Sequence, residues 1–326
     1  MKDFDYQSFW DDSDYSLKNY IDETPTDKII LKVEQELGNK LPKSYIEFMK
    51  QHNGGMVQKS WFLTSNFEVV IIEGFLSIGE EKIKGLLGEH GSQFWINEWE
   101  YPNIGIYICD TISGGHDMIA LDYTECKCSE EPTVVWIAQE NEYEKTFLAK
   151  NFETFIKSLK DADLMEEFDE LNDKVENILY KLLLKHLKSI NIKEEIYCLN
   201  ICYGSEYIMP PFFSFGESSL KKEWLKEIPK TIEKYLWNFA EYGVDEYELQ
   251  IDKKTQELFD EYNQLATELE LWDVQIRTIL RVTKKLKNHL LDFNWNMSDD
   301  FIVIATDLEQ VDVDKNFEFI GNENNN

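Results

Sequence analysis

Residues 41–55 read LPKSYIEFMKQHNGG, and this stretch decides how the sequence before and after it divides. Pro42 suits the first turn of a helix, where its missing N–H would have had no partner. Tyr45, Phe48 and Met49 follow at i, i+3 and i+4, the spacing of one helical face. Asn53 and Gly54 tolerate a positive φ. The pattern therefore predicts a helix of about ten residues, a left-handed cap, and a sharp turn at Gly55.

Working backward, Thr24 before Pro25 reads as an N-cap with proline at the first helical position. Ile29, Ile30, Val33 and Leu37 then supply one apolar face and Gly38 a stop, which makes the quoted stretch the second of two consecutive helices. Working forward, the texture changes after Gly55. WFLTSNFEVVIIEGFLSIG (61–79) is rich in β-branched and aromatic residues, and three short apolar strands follow at 104–110, 116–122 and 133–139. The glycine-bearing loop TISGG (111–115) suits an antiparallel meander. A closing helix is expected over 151–160, capped by Asn151, with Phe152, Phe155, Ile156 and Leu159 inward. Strands grouped together, with helices before and after them, predict an α+β fold.

From residue 164 the pattern differs. Leu164, Phe168, Leu171, Val175, Ile178 and Leu182 are spaced 4, 3, 4, 3, 4, the stripe of a long helix packed within a domain or of a short coiled-coil seam. We therefore divide the chain into residues 1–163 and a second, helix-rich α+β domain over 164–326. The second is expected to hold strands at 195–204 and 300–308 and helices around 218–240, 253–270 and 272–291.

The 326 residues suffice for two cores, and 43% hydrophobic residues place the chain among globular proteins. Its 63 acidic against 33 basic residues give a net charge of −30. Residues 1–160 hold 28 acidic and 15 basic side chains, so the excess belongs to both halves. Such a chain repels phosphate backbones, which argues against direct nucleic-acid binding, and it attracts basic partners. The acidic start MKDFDYQSFWDD lacks the apolar core of a signal peptide, and no run reaches the length of a membrane span. Five cysteines suggest reduced thiols and a cytoplasmic setting.

Signatures of catalysis are sparse. The sequence contains no phosphate-cradling glycine loop, no His-Glu-x-x-His and no Gly-x-Ser-x-Gly, so an enzyme is not expected. Cys126 and Cys128, with Cys109 and His116 farther away, form one closely spaced pair where a zinc site needs two, so neither metal nor cofactor is expected. Asp117 and Asp122 border a strand and read either as paired carboxylates or, better, as solvated strand-end acids. The richest candidate for binding a partner is FWINEWEYPN (94–103), which sets Trp95, Trp99 and Tyr101 among Glu98 and Glu100. The competing reading is a short helix whose Trp95 and Trp99, at i and i+4, belong to the core.

Taken in order, residues 24–160 resemble the SMI1/KNR4 family, or SUKH superfamily. Leu41, Pro42, Tyr45, Phe48, Asn53, Gly54 and Gly55 fit its most distinctive motif. Ile104, Gly105, Asp117, Leu121 and Asp122 fit its glycine-and-aspartate strand region, although His116 stands where the family usually runs glycine directly into aspartate. TVVWI (133–137) fits the late strand, and Leu148, Phe152 and Phe155 fit the closing helix. The second half resembles, over a smaller share of its length, an uncharacterised bacterial domain family through Trp237, Glu241 and Tyr242 and the strand FIVIATD. The first resemblance implies a small α+β unit whose bacterial members are immunity proteins that bind and block a cognate toxin, often a nuclease. Fungal members suggest instead a scaffold or regulator, and an enzyme carried by the second domain is the third reading.

Overall fold

The computed structural model describes residues 4–126, 131–204, 208–243 and 247–321. It separates into two compact units, Met1–Met165 and Glu166–Asn326. Both combine helices with a sheet.

In the first unit a short strand β1 (Trp10–Asp11) precedes three helices, α1 (Asp14–Asn19), α2 (Asp27–Leu37) and α3 (Lys43–Gln51). Strands β2 (Gly55–Val57), β3 (Trp61–Leu63) and β4 (Val69–Phe75) follow, then helix α4 (Ser92–Glu98). Strands β5 (Gly105–Thr111), β6 (Asp117–Asp122), β7 (Thr133–Ala138) and β8 (Glu144–Ala149) lead to α5 (Phe152–Lys157). All strand pairs are antiparallel, in the order β1-β2-β4-β5-β6-β7-β8, with β3 also pairing to β4.

Sequence expectations need three adjustments here. Helix α2 begins after Thr26, not Thr24, because the Thr26 hydroxyl accepts the Ile29 N–H and so supplies the cap. Its stop is as expected, with Gly38 left-handed at φ 75°. Helix α3 starts at Lys43 with Pro42 extended at its N-cap, and it ends at Gln51 without a left-handed cap, since His52 is extended. Positive φ occurs at Gly54 (82°), as expected, and at the turn residue Gly55 (145°), but not at Asn53. Between them and the helix, buried Asn53 acts as a strap. Its Oδ1 accepts the Ile78 N–H at 2.8 Å, and its Nδ2 donates to Glu23 O at 2.7 Å and Ile78 O at 3.2 Å. Helix α1 and strands β1 and β8 were not foreseen, because two to six residues carry too little periodicity to declare an element.

Helices α2, α3 and α5 cover one face of the sheet. Tyr45, Phe48 and Met49 of α3 meet Ile72 and Phe75 of β4 and Phe152 and Phe155 of α5 in one core. The Phe48 and Phe152 rings lie 5.5 Å apart, and the Tyr45 hydroxyl donates to Leu76 O at 2.9 Å. The motif residues on this helix are thus packing residues.

The second unit opens on α6 (Ala162–Ser189), whose residues from 166 belong to it, and β9 (Ile192–Tyr203). Then come β10 (Phe212–Glu217), α7 (Ser218–Glu227), α8 (Glu233–Leu236), α9 (Lys253–Glu268), α10 (Trp272–Leu286), β11 (Trp295–Asp307) and α11 (Val313–Ile320). Central β9 pairs antiparallel with β10 and parallel with β11. Buried continuously from Ile196 to Tyr203, with Asn200 its one strongly polar side chain there, it has the burial of a strand covered on both faces. The single helix expected over 218–240 stops at Glu227, where Pro229 forbids its continuation. On α6 the buried line is Phe168, Leu171, Val175, Leu179, Leu183 and Leu187, while the expected Ile178 and Leu182 are half-buried. The step of four in its second part excludes a heptad seam and fits packing within a domain.

A polar network joins α6 to α9 and α10. Asn172 Oδ1 accepts from the Tyr262 and Thr278 hydroxyls, and Glu176 accepts from Arg281 Nε at 2.6 Å and from Lys285. Burial pushes the Glu176 carboxyl up, but the hydrogen bonds from Lys285 and Arg281 and their charges outweigh it, leaving the group below its ordinary value of 4.5. A carboxyl held low stabilises the fold above its unfolded pKa and loses that contribution as pH falls through the folded one. Glu176→Gln is therefore expected to cost about 1–2 kcal/mol at pH 7. In denaturant titrations the gap from the parent should close below about pH 4.5. A gap unchanged at pH 3 would refute the assignment.

Candidate partner-binding surface

The other face of the first unit's sheet is only partly covered. Helix α4 lies over it with Trp95, and this ring packs with Tyr101 against Tyr107, Met118, Val135 and Ile137. Trp95 is 4% exposed and Tyr101 2%, so neither can anchor a partner. The Tyr101 hydroxyl donates to Gly115 O at 2.7 Å. Gly115 itself has φ 108°, and a Cβ there would lie 2.7 Å from the Trp95 ring, so the turn after β5 closes directly on the indole. Trp99 is half-buried, 5.4 Å from Trp95 and 6.0 Å from His116, and its carbonyl accepts the Tyr143 hydroxyl at 2.7 Å. The i, i+4 tryptophans thus form the inner face of α4. Of the five candidates, Glu98 and Glu100 alone are exposed.

The remaining motif residues serve the sheet. Gly105 faces Asp122 across the β5–β6 pair. Asp122 is not a solvated strand-end acid but buried. Burial pushes its carboxyl up, yet bonds from Lys145 Nζ (2.7 Å) and from the Thr124 hydroxyl (2.6 Å) and N–H (2.8 Å) hold it below the usual value. Asp117 is half-buried and pushed up by burial. Cys109 lies within the apolar core and Cys126 is half-buried. Cys128 lies outside the described residues. Among the described residues no group of three or more His, Cys, Asp or Glu side chains is placed to hold a metal. Nor is any helix among them long and apolar enough to cross a membrane.

Beyond the edge of α4 a different set of side chains comes together. Tyr20 follows α1 and is fully buried, and its hydroxyl donates to Asp110 Oδ2 at 2.9 Å. Lys84 Nζ reaches the same oxygen at 2.7 Å and sits 5.8 Å from the Tyr20 ring and 5.7 Å from the Trp95 ring. Asp110 is 3% exposed, and its Oδ1 is buried without a hydrogen-bond partner among the described residues. Half-buried Glu73, on β4, has its carboxyl pushed up by burial first and by the Asp110 charge second. Exposed apolar side chains stand at positions neighbouring this cluster along the chain. Tyr15, 53% exposed, holds its ring 6.3 Å from that of Tyr20, and Leu17 offers its carbonyl to Lys82 at 2.9 Å. Ile83 is exposed beside Lys84, and Ile112, 65% exposed, stands two residues beyond Asp110, just past the end of β5.

Sequence reading missed Tyr20, Glu73, Lys84 and Asp110, since no local spacing links positions so far apart. The one available signal was Asp110 closing the apolar run IGIYICD.

Residues 24–158, which run from just before α2 into the C-terminal turn of α5, match the SMI1 / KNR4 family (SUKH-1). The comparison with curated proteins found no match.

Proposed function

Since the N-terminal half is an SMI1/KNR4 (SUKH-1) domain, a family that includes immunity proteins, we propose that the chain is a bacterial immunity protein. In this reading it binds a cognate toxin, a basic protein of the nuclease kind, in a stoichiometric complex and blocks it without turning over any substrate. The observation that supports this most is the uncovered rim of Tyr15, Leu17, Ile83 and Ile112 around Tyr20, Glu73, Lys84 and Asp110. Exposed apolar side chains beside a buried ion pair have a use when a partner covers them. A net charge of −30 then speeds the encounter with a basic surface.

Coexpression tests the proposal. The product of the gene adjacent to this one should arrest growth alone, lose that effect beside this chain, and copurify with it at one to one. A harmless neighbour, or a toxic one that this chain neither binds nor suppresses, would overturn the reading. The surface is tested separately by Ile112→Asp. This change should weaken toxin binding at least about 30-fold, near 2 kcal/mol. Because the side chain is exposed, the melting temperature should barely move. Equal binding by the variant would place the interface elsewhere.

A further inference from the structure

We propose that the Glu73 and Asp110 carboxylates form a receptor for an arginine side chain presented by the partner, an inference that rests on the toxin-binding reading of the same surface. The Lys84 ammonium pairs with Asp110, and Glu73 adds a second carboxylate on the strand paired with that of Asp110. Asp110 spends a single oxygen, Oδ2, on both Tyr20 and Lys84, while Oδ1 stays buried with no donor among the described residues. A desolvated acceptor of that kind is costly unless something completes it. Glu73 is half-buried on β4, next to Gly74, which pairs with Asp110 across the β4–β5 ladder, so a group arriving from outside meets its carboxyl beside that of Asp110.

Guanidinium chemistry fits the deficit better than another ammonium. It brings five N–H donors in a planar fork, enough to bond two carboxylates at once, and it loses less on leaving water. An ammonium would repeat what Lys84 already supplies. The surroundings suit a flat cation as well, since Lys84 already rests near the faces of Tyr20 and Trp95, and the exposed Tyr15 ring offers a further face at the rim. Closing Leu17, Ile83 and Ile112 over the site would exclude water and strengthen the charge-assisted bonds. The burial that now pushes up the Glu73 carboxyl is the same strain a neighbouring cation would relieve.

The test needs no toxin. The full chain, with carbon-13 at its glutamate carboxyls and isoleucine methyls, is titrated with Nα-acetyl-arginine amide, the lysine analogue and the neutral citrulline analogue. The arginine compound should lower the apparent pKa of Glu73 and shift the Ile112 methyl saturably, at concentrations at least tenfold below those needed for citrulline. Lysine should fall between them. Glu73→Gln should abolish the preference for arginine over citrulline while leaving the melting temperature unchanged. Equal responses to arginine and citrulline in the parent chain, or an arginine preference that survives Glu73→Gln, would overturn the inference. Because toxin suppression in coexpression is a separate readout, loss of the arginine receptor and loss of the immunity reading would be told apart.

Discussion

Gly54→Val is expected to unfold the first unit's sheet under conditions where the parent chain is stable. Gly54 has φ 82°, a region that costs a β-branched residue dearly. The structure adds a second penalty, because a Cβ at this position would lie 2.8 Å from Ser77 Cβ, from Ser77 N and from Tyr20 O. Two of those three atoms are backbone, so no rotamer change relieves the overlap. Strain and overpacking together amount to about 3–5 kcal/mol. Hydrogen exchange read by mass spectrometry on peptides from β4 to β6 is the appropriate measurement, since a chain of two units need not unfold in one step. Protection there should collapse, whereas peptides from β9 and β11 report the second unit independently. Full protection in β4–β6 would show that the turn has room the geometry denies it.

Lys84→Met is expected to be almost as damaging, for an electrostatic reason. The Lys84 and Asp110 side chains are 14% and 5% exposed. Removing the ammonium leaves a buried carboxylate whose remaining donor is the Tyr20 hydroxyl. Breaking a buried pair by deleting one partner typically costs about 3–5 kcal/mol. Removing both charges costs far less, because the desolvation penalty disappears along with the attraction. Lys84→Met with Asp110→Leu should therefore be more stable than either single variant, with a coupling energy of about 2 kcal/mol or more in a double-mutant cycle. Additive losses would mean that the two groups act independently, despite their 2.7 Å separation.

How much of this was legible beforehand depended on the range of the interaction. Helix α3 and its buried Tyr45, Phe48 and Met49 followed from spacing within one turn, as did the Asn151 cap of α5, whose Oδ1 accepts the Thr154 N–H at 2.9 Å. Glycines were recognisable as places of unusual backbone, yet the turn fell to Gly54 and Gly55 while His52 stayed extended, because Asn53 is claimed by Ile78 and Glu23. Trp95 and Tyr101 show the opposite failure. Composition marks such residues as interface anchors, but the same apolar area serves a core equally well, and only the need of the sheet's second face for a cover decided between them. The cluster around Asp110 was out of reach altogether. Its members come from the end of α1, from β4, from the loop at Lys84 and from β5, brought together by the β4–β5 pairing and by backbone bonds from Lys84 N to Asn19 O and from Ser77 N to Lys84 O.

The register of β9 carries a consequence for how the chain acquires its structure. In the first unit β4 through β8 each pair with the next strand along, so each ladder closes a modest loop. In the second unit β9 lies parallel beside β11, and the side-chain bond between Asn200 and Thr306 joins positions 106 residues apart. Pairing over that separation is entropically expensive and slow. During synthesis the meander can close while β9 still has one flank, with its buried stretch from Ile196 to Tyr203 partly uncovered until β11 emerges. Pulse-labelling during refolding should accordingly protect the β5–β6 amides before those of β9. Were β9 protected first, the two strands would be meeting faster than their separation along the chain allows.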